Sequence, residues 1–186
     1  SAFASCRHLQ EVEFPKDSKL KIIDDYAFYE TPIKKINIPS NVTRIGKKAF
    51  SECKELKIIE FSCNSKLDII HEGAFSESSI ESITIPSNVT IIGEKAFYNS
   101  KIQNVTFEPN SKLKIIDNYA FDGSCLKRII IPSSVILIKK AAFCESKLKT
   151  IEFEPNSNLQ CFGALSLHST LIKSITIPSS VTTIEN

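Results

Sequence analysis

The stretch Ile38–Phe61, IPSNVTRIGKKAFSECKELKIIEF, is one full unit of a sequence that repeats along the whole chain of 186 residues. An Ala-Phe dipeptide recurs at intervals of 22–25 residues. Its phenylalanines are Phe3, Phe28, Phe50, Phe75, Phe97, Phe121 and Phe143, and Leu167 takes the eighth position. A unit this short cannot bury its own apolar face, so the copies must stack to build one continuous core.

Each unit also carries the pattern L-x-x-I-x-F/I, in which apolar and polar residues alternate and β-branched side chains are common. This alternation predicts a short strand, and a proline that follows the strand directly or one residue later ends it. The eight copies are Leu9–Phe14, Ile33–Ile38, Leu56–Phe61, Ile80–Ile85, Ile102–Phe107, Leu126–Ile131, Leu148–Phe153 and Ile172–Ile177. We therefore predict eight short parallel strands, one per repeat.

Two repeat types alternate, and they differ in the turn after the strand. Strands ending in Phe reach the next apolar anchor in six residues, as from Phe61 to Leu67, whereas strands ending in Ile need four, as from Ile38 to Val42. The stretch that follows, Val42–Phe50, has apolar spacing that fits a helix, but Gly46 interrupts it. We predict an extended piece, a turn and at most one helical turn there. The Ala-Phe rings and the strand-end phenylalanines should form two internal ladders.

The repeated unit resembles the BspA-type leucine-rich repeat, I-P-S-x-V-T-x-I-G-x-x-A-F-x-x-C-x-x-L-x-x-I-x-F, over essentially the entire chain. The variant E-P-N-S-x-L, at Glu108–Leu113 and Glu154–Leu159, resembles the protist branch of that family. The resemblance implies an α/β-class but predominantly β, right-handed leucine-rich repeat solenoid. Its strands would line the concave face, with turns and short extended or one-turn helical pieces on the convex side. The family also implies cell-surface adhesion or ligand binding. The cysteine of A-F-x-x-C survives only at Cys6 and Cys53, and the Asn ladder of ordinary leucine-rich repeats is absent.

Two residues of each predicted strand point away from the core. Together these residues should form one continuous face on which a ligand could bind. These candidate binding residues are Glu11, Glu13, Lys35, Asn37, Ile58, Glu60, Ser82, Thr84, Asn104, Thr106, Arg128, Ile130, Thr150, Glu152, Ser174 and Thr176. Ile58 and Ile130 stand out, because an exposed isoleucine on a flat face can seed a contact.

Three N-x-T sequons, at Asn41, Asn88 and Asn104, are candidate glycosylation sites. Asn41 and Asn88 occupy the same slot in the turn after a strand, where asparagine is favoured without any glycan. Asn104 lies on the predicted binding face, so a glycan there would obstruct that face.

The side chains of catalytic and metal sites do not occur in the required spacing. The three histidines fall on separate repeats, and no nucleophile pair, phosphate loop or cofactor motif is present. We therefore predict no enzyme activity, no metal and no cofactor. The repeat geometry also argues against a disulfide framework, and Cys6 and Cys53 are expected to be buried free thiols.

The charge balance gives no strong pull towards nucleic acid, because 23 basic and 21 acidic residues leave a net charge of +2. No apolar run approaches the roughly 18 residues that a membrane span requires, so we expect no direct membrane insertion by this segment. We treat residues 1–186 as one solenoid domain of about eight repeats. Neither end carries a polar cap, which suggests a fragment of a longer array and end-to-end association through the open repeats.

Two functions are compatible with this sequence. The first is a cell-surface or secreted module that binds a protein or extracellular-matrix ligand through the exposed strand face. The alternative is a cytoplasmic scaffold of the same architecture that holds partner proteins. A signal peptide or a membrane anchor in the full gene would favour the first.

Overall fold

The chain winds into a stack of about seven turns, here called rungs. The strands of the rungs form two sheets, and within each sheet the strands are parallel. The computed structural model describes all 186 residues and contains strands and turns but no helix. One sheet has eight two-residue strands: β1 (Ile22–Ile23), β3 (Arg44–Ile45), β5 (Ile69–Ile70), β7 (Ile91–Ile92), β9 (Ile115–Ile116), β11 (Leu137–Ile138), β13 (Cys161–Phe162) and β14 (Thr183–Ile184). The other has six four-residue strands: β2 (Lys35–Ile38), β4 (Ile58–Phe61), β6 (Ser82–Ile85), β8 (Asn104–Phe107), β10 (Arg128–Ile131) and β12 (Thr150–Phe153).

The prediction of a helical turn before each Ala-Phe is wrong. The stretch consists of consecutive turns whose backbone is hydrogen-bonded to the next rung. Around Phe50, the backbone N–H groups of Lys48, Phe50 and Glu52 donate to carbonyls one rung further on, at 2.8–2.9 Å. Lys48 and Glu52 adopt positive φ angles of 50° and 58°, in the left-handed region that a right-handed helix does not use. The N–H groups of the residues between them, Ala49 and Ser51, donate to carbonyls three residues earlier, so local turns alternate with bonds to the next rung.

The Ala-Phe phenylalanines form the predicted internal ladder. The rings from Phe28 to Phe143 are at most 4% exposed, and adjacent centroids lie 5.1–5.5 Å apart with interplanar angles of 1–18°. Phe3 stacks on Phe28 at 5.3 Å but is 47% exposed. This stack is the centre of a core that runs through the whole solenoid.

The second predicted ladder does not form. The strand-end residues Phe14, Phe61, Phe107 and Phe153 are only half-buried, and they alternate along the stack with the fully buried Ile38, Ile85 and Ile131. Because isoleucine fits the core at this slot and phenylalanine does not fit entirely, every second rung leaves part of a ring in solvent.

The long strands pair in alternation, which explains why six strands form where eight were expected. From a strand ending in Ile to the next, ending in Phe, all four residues pair, as between β2 and β4. From a strand ending in Phe to the next, only the first residues pair: Ile58 with Ser82, and Asn104 with Arg128. The segments at 11–14 and 172–177 adjoin the sheet only across this open kind of interface. Glu11 therefore makes a single bridge to Lys35, and the last segment makes no ladder.

The turns are closed by serine and asparagine side chains. In the long turns, the hydroxyl of Ser65 accepts a hydrogen bond from the N–H of Leu67 at 3.3 Å, and three other serines do the same. In the short turns, Asn41 and Asn88 donate to the carbonyls of Ser18 and Ser65 on the preceding rung. Ser134 and Ser180 hold the same slot and donate to the carbonyls of Leu113 and Leu159, two residues further along the preceding rung. These side chains satisfy backbone groups that the strands leave free.

All six cysteines are free thiols. Cys53 is buried and donates to the carbonyl of Phe28 at 3.1 Å, as expected for a core position. The expectation for Cys6 is wrong, because Cys6 is exposed on the first rung. The same slot holds Thr31, Ser78 and Ser146 on other rungs, and their hydroxyls donate to the phenylalanine carbonyl of their own rung, three residues earlier.

Candidate functional surface

The exposed side of the six-stranded sheet is the candidate site, and its residues form two columns across the strands. The first column runs from Lys35 to Thr150, and its neighbours are paired in register across all six strands. The second column runs from Asn37 to Glu152, and its neighbours are paired only from β2 to β4, from β6 to β8 and from β10 to β12. All twelve of these side chains are exposed except Thr150, which is half-exposed. The sequence-based assignment of inward and outward positions in β2, β4, β6, β8, β10 and β12 is therefore consistent with the structure.

Four of the sixteen predicted face residues lie outside the paired sheet. Glu11 and Glu13 are exposed beside β2, where only Glu11 forms a bridge. Ser174 and Thr176 are exposed beside β12 without a strand of their own. Their side chains still border the face, but their backbone is held by fewer hydrogen bonds than the backbone of the central strands.

Two ion pairs lie on this face on either side of an uncharged centre. Lys35 pairs with Glu60 at 3.0 Å, and Arg128 forms a bidentate pair with Glu152 at 2.8 and 3.1 Å. Hydrogen bonding between the latter two raises the pKa of Arg128 and lowers the pKa of Glu152 from their usual values. Both pairs are solvent-exposed, so they orient their side chains and contribute little to stability.

The centre of the face carries hydroxyl and amide groups. It consists of Ser82 and Thr84 on β6 and Asn104 and Thr106 on β8, all exposed. The hydroxyls of Thr84 and Thr106 are 2.9 Å apart and hydrogen-bonded to each other. This centre offers donors and acceptors to a ligand without the cost of desolvating a charge.

The two exposed isoleucines do not form one apolar patch. Ile58 is 47% exposed on β4 in the first column, and Ile130 is 40% exposed on β10 in the second. β6 and β8 lie between them, so each is a separate apolar contact point on an otherwise polar face.

Grooves open on the face at each place where the strands pair only at their first residues. A groove between β4 and β6 has a volume of about 410 Å³ and is lined by Phe61 and Glu108, among others. The equivalent groove between β8 and β10, of about 320 Å³, is lined by Phe107 and Glu154. Two further grooves of about 440 and 650 Å³ lie beside β2 and β12.

The sequence analysis missed these grooves and the glutamates at their ends. Glu108 and Glu154 belong to the E-P-N-S-x-L variant, from which the sequence analysis drew only the resemblance to the protist branch of the family. Their carboxylates accept hydrogen bonds from the N–H groups of Ser87 and Ser133, both at 2.8 Å. The alternation of Phe and Ile at the strand ends could have located these grooves in the sequence, because the sheet opens after each strand that ends in Phe.

The sequon asparagines differ in their surroundings. The side-chain amide nitrogens of Asn41 and Asn88, to which a glycan would be attached, donate to backbone carbonyls at 3.1 and 2.8 Å. Their amide oxygens accept hydrogen bonds from Lys66 and Lys112. Asn104 is exposed in the centre of the face. Glycosylation of the three residues stays a prediction, and the engaged amides of Asn41 and Asn88 argue against it at those two positions.

The structure shows no cluster with the geometry of a reaction centre. No three His, Cys, Asp or Glu side chains meet in a way that could hold a metal ion. Some shifted pKa values belong to single groups elsewhere in the chain: the pKa of Tyr29 is raised to about 12 by its hydrogen bond to Glu52, and burial lowers the pKa of His71. None of the helices that a membrane crossing would need is present.

Solved structures share this architecture. The pneumococcal vaccine antigen PcpA matches with a TM-score of 0.67 and 22% identity, over 83% of this chain and 52% of that chain. The chain thus spans about half the length of PcpA. A leucine-rich repeat protein from Bacteroides ovatus ATCC 8483 matches with a TM-score of 0.53 and 20% identity, over 99% of this chain and 70% of that chain. Such identities show a common fold.

The repeat itself is matched at the level of the sequence family. None of the curated proteins matches the chain. The BspA type leucine rich repeat region, however, matches in six copies over residues 1–101 and 68–186, which together cover the whole chain. With the repeated strand, turn and Ala-Phe stack in place, the protein belongs to the BspA-type leucine-rich repeat family.

Proposed function

We propose that this chain is a non-enzymatic recognition module that binds a protein or extracellular-matrix ligand through the exposed face of the six-stranded sheet. The observation that carries the proposal is the face itself. It extends over six strands, its side chains are solvent-exposed, and its centre presents uncharged polar groups between two ion pairs. A polar face with single apolar side chains is compatible with a non-obligate protein–protein interface, which as a whole is about as polar as the rest of a protein surface.

The family supports a binding role, because solenoid repeats present extended surfaces and leucine-rich repeat proteins commonly bind other proteins. A location at the cell surface or outside the cell is part of the proposal. PcpA, a structural neighbour, is a vaccine antigen, which is consistent with exposure of this fold outside the cell.

The location can be tested with an antibody raised against residues 1–186. We expect the antibody to stain intact, non-permeabilised cells of the source organism as strongly as permeabilised cells. Staining that appears only after permeabilisation would contradict the surface location and favour the intracellular scaffold.

The binding face can be tested by replacing Arg128 and Ile130 together with alanine. Immobilised collagen, fibronectin and laminin serve as probes, with binding of the purified chain measured by surface plasmon resonance. We expect the double variant to lose about tenfold or more in affinity for the bound probe, because an arginine and an exposed isoleucine side by side resemble interface hot spots. Its unfolding midpoint should stay near that of the wild type, since both side chains are exposed.

A matched control is available on the other sheet, where Lys21 and Ile22 are also exposed. Replacing both by alanine removes the same kinds of contact from the opposite side of the solenoid. An equal loss of binding in the two double variants would exclude the six-stranded face as the site, as would unchanged affinity in the Arg128 and Ile130 variant.

A further inference from the structure

The grooves on the face form a regular series with a spacing of two rungs. Each opens where a strand ends in phenylalanine, so the half-buried ring contributes to its lining. Phe61 lines the groove between β4 and β6, and Phe107 lines the groove between β8 and β10. Phe14 and Phe153 line the other two. The face is therefore corrugated with a fixed period.

Each of the two central grooves also holds a carboxylate with an unused oxygen. Glu108 and Glu154 each accept one backbone N–H through Oε2, from Ser87 and Ser133 respectively. Their Oε1 atoms have no partner in the protein. The two carboxylates are thus fixed in position and able to accept a hydrogen bond from a cationic ligand group.

The period is close to that of one kind of extended peptide. Paired parallel strands lie about 4.8 Å apart, so two rungs span at least about 9.6 Å, and the distance is longer at the strand ends where one of the two interfaces opens. A polyproline II helix rises about 3.1 Å per residue with three residues per turn, so equivalent side chains recur on one side every ~9.3 Å. A β-strand presents alternate side chains about 6.8 Å apart, which does not fit the period.

We propose that the grooves bind a proline-rich, basic segment in the polyproline II conformation, lying across the strands along the stack. One proline of each three-residue turn packs against Phe61 or Phe107, and a lysine or arginine of the same turn donates to Glu108 or Glu154. Aromatic-lined grooves are the usual receptors for polyproline II segments. This inference names the ligand class for the face and so depends on the proposed function.

The probe is a fluorescein-labelled peptide, (Pro-Lys-Pro)4, whose binding to the whole chain is followed by fluorescence anisotropy. A second peptide of equal length and composition, with its lysines at irregular intervals, tests the spacing. We expect saturable binding of the regular peptide and at least about fivefold weaker binding of the irregular one, because only the regular peptide can place a lysine at both glutamates.

Two variants test the two parts of each groove. Glu108→Gln with Glu154→Gln should weaken binding of the regular peptide about tenfold, because each change removes a charge-assisted hydrogen bond. Phe61→Ile with Phe107→Ile introduces the residue that occupies this slot on alternate rungs, so the fold should be retained while the grooves close. The control is Glu55→Gln with Glu145→Gln, which removes the same charge from exposed positions elsewhere and should leave binding unchanged.

The outcomes distinguish failure of the polyproline II proposal from failure of the proposed function. Equal binding of both peptides, or an equal loss in the control variant, would show simple charge attraction and overturn the polyproline II assignment. Binding of a neutral β-1,4-linked hexasaccharide in place of the peptide, unaffected by the glutamate variants, would overturn it in favour of a glycan. Absence of peptide binding in a chain that still binds a matrix protein through Arg128 and Ile130 would overturn this inference and leave the proposed function standing.

Discussion

Replacing Phe97 by alanine is expected to lower the free energy of unfolding by about 3–5 kcal/mol. Phe97 is 0% exposed and lies in the middle of the stack, with ring centroids 5.3 Å from Phe75 and 5.1 Å from Phe121. The variant removes both stacking contacts and leaves a cavity that the close-packed rungs cannot fill by collapsing. Urea unfolding followed by circular dichroism measures the change.

Phe3→Ala is the matched control for this prediction, because Phe3 occupies the same slot on the first rung. Its ring is 47% exposed and stacks on one neighbour only, Phe28. We expect a loss below about 1.5 kcal/mol, since the site is open to water and leaves no closed cavity. Equal effects at the two positions would mean that the stack is not the continuous core that the geometry indicates. A separate early transition in the Phe97 variant would show that the solenoid unfolds in two parts on either side of the defect.

The sequence was sufficient to predict the repeat, the stack and the parallel long strands, because these depend on residues that recur in every unit. Phe97 and its equivalents fall at fixed intervals, and a residue that recurs once per rung must meet its own copies along the stack. The inward and outward positions followed for the same reason, since alternation in a strand assigns Ile83 to the core and Thr84 to solvent.

The features that the sequence did not reveal depend on how one rung meets the next. The apolar spacing of Val42–Phe50 fits a helix, but the N–H groups of that stretch are needed by the neighbouring rung. Strand pairing alternates together with the strand-end residue and the length of the turn, and the grooves beside Phe61 and Phe107 lie where pairing is incomplete. Neither property belongs to a single unit, so no pattern within one unit reports it.

The glycines show the same dependence on neighbouring rungs, and they provide the second large effect. Gly93→Ala is expected to cost about 1–3 kcal/mol, because a Cβ at this position would lie 2.8 Å from the carbonyl oxygen of Ile70 and 2.9 Å from the carbonyl carbon of His71. Both atoms are backbone atoms of the preceding rung, and the N–H of Gly93 donates to that same carbonyl oxygen at 2.8 Å. Relieving the overlap would therefore stretch a hydrogen bond between rungs.

The control, Gly73→Asn, reverses the usual expectation for glycine. Gly73 has a φ of 60°, the left-handed region that normally favours glycine, whereas Gly93 does not. Yet Lys48 and Lys95 hold the same slot with φ angles of 50° and 55°. The closest contact of a Cβ at Gly73 would be the flexible side chain of Lys48, at 3.1 Å, and no backbone atom lies among its nearest neighbours. We expect Gly73→Asn to change the unfolding free energy by less than about 1 kcal/mol, since asparagine tolerates this conformation best among the larger residues.

Lys139 occupies the Gly93 slot two rungs further on. An unchanged free energy of unfolding in Gly93→Ala would therefore indicate that neighbouring rungs can separate to accept a side chain. A larger loss for Gly73→Asn than for Gly93→Ala would mean that backbone conformation, and not the approach of the rungs, determines where glycine is required.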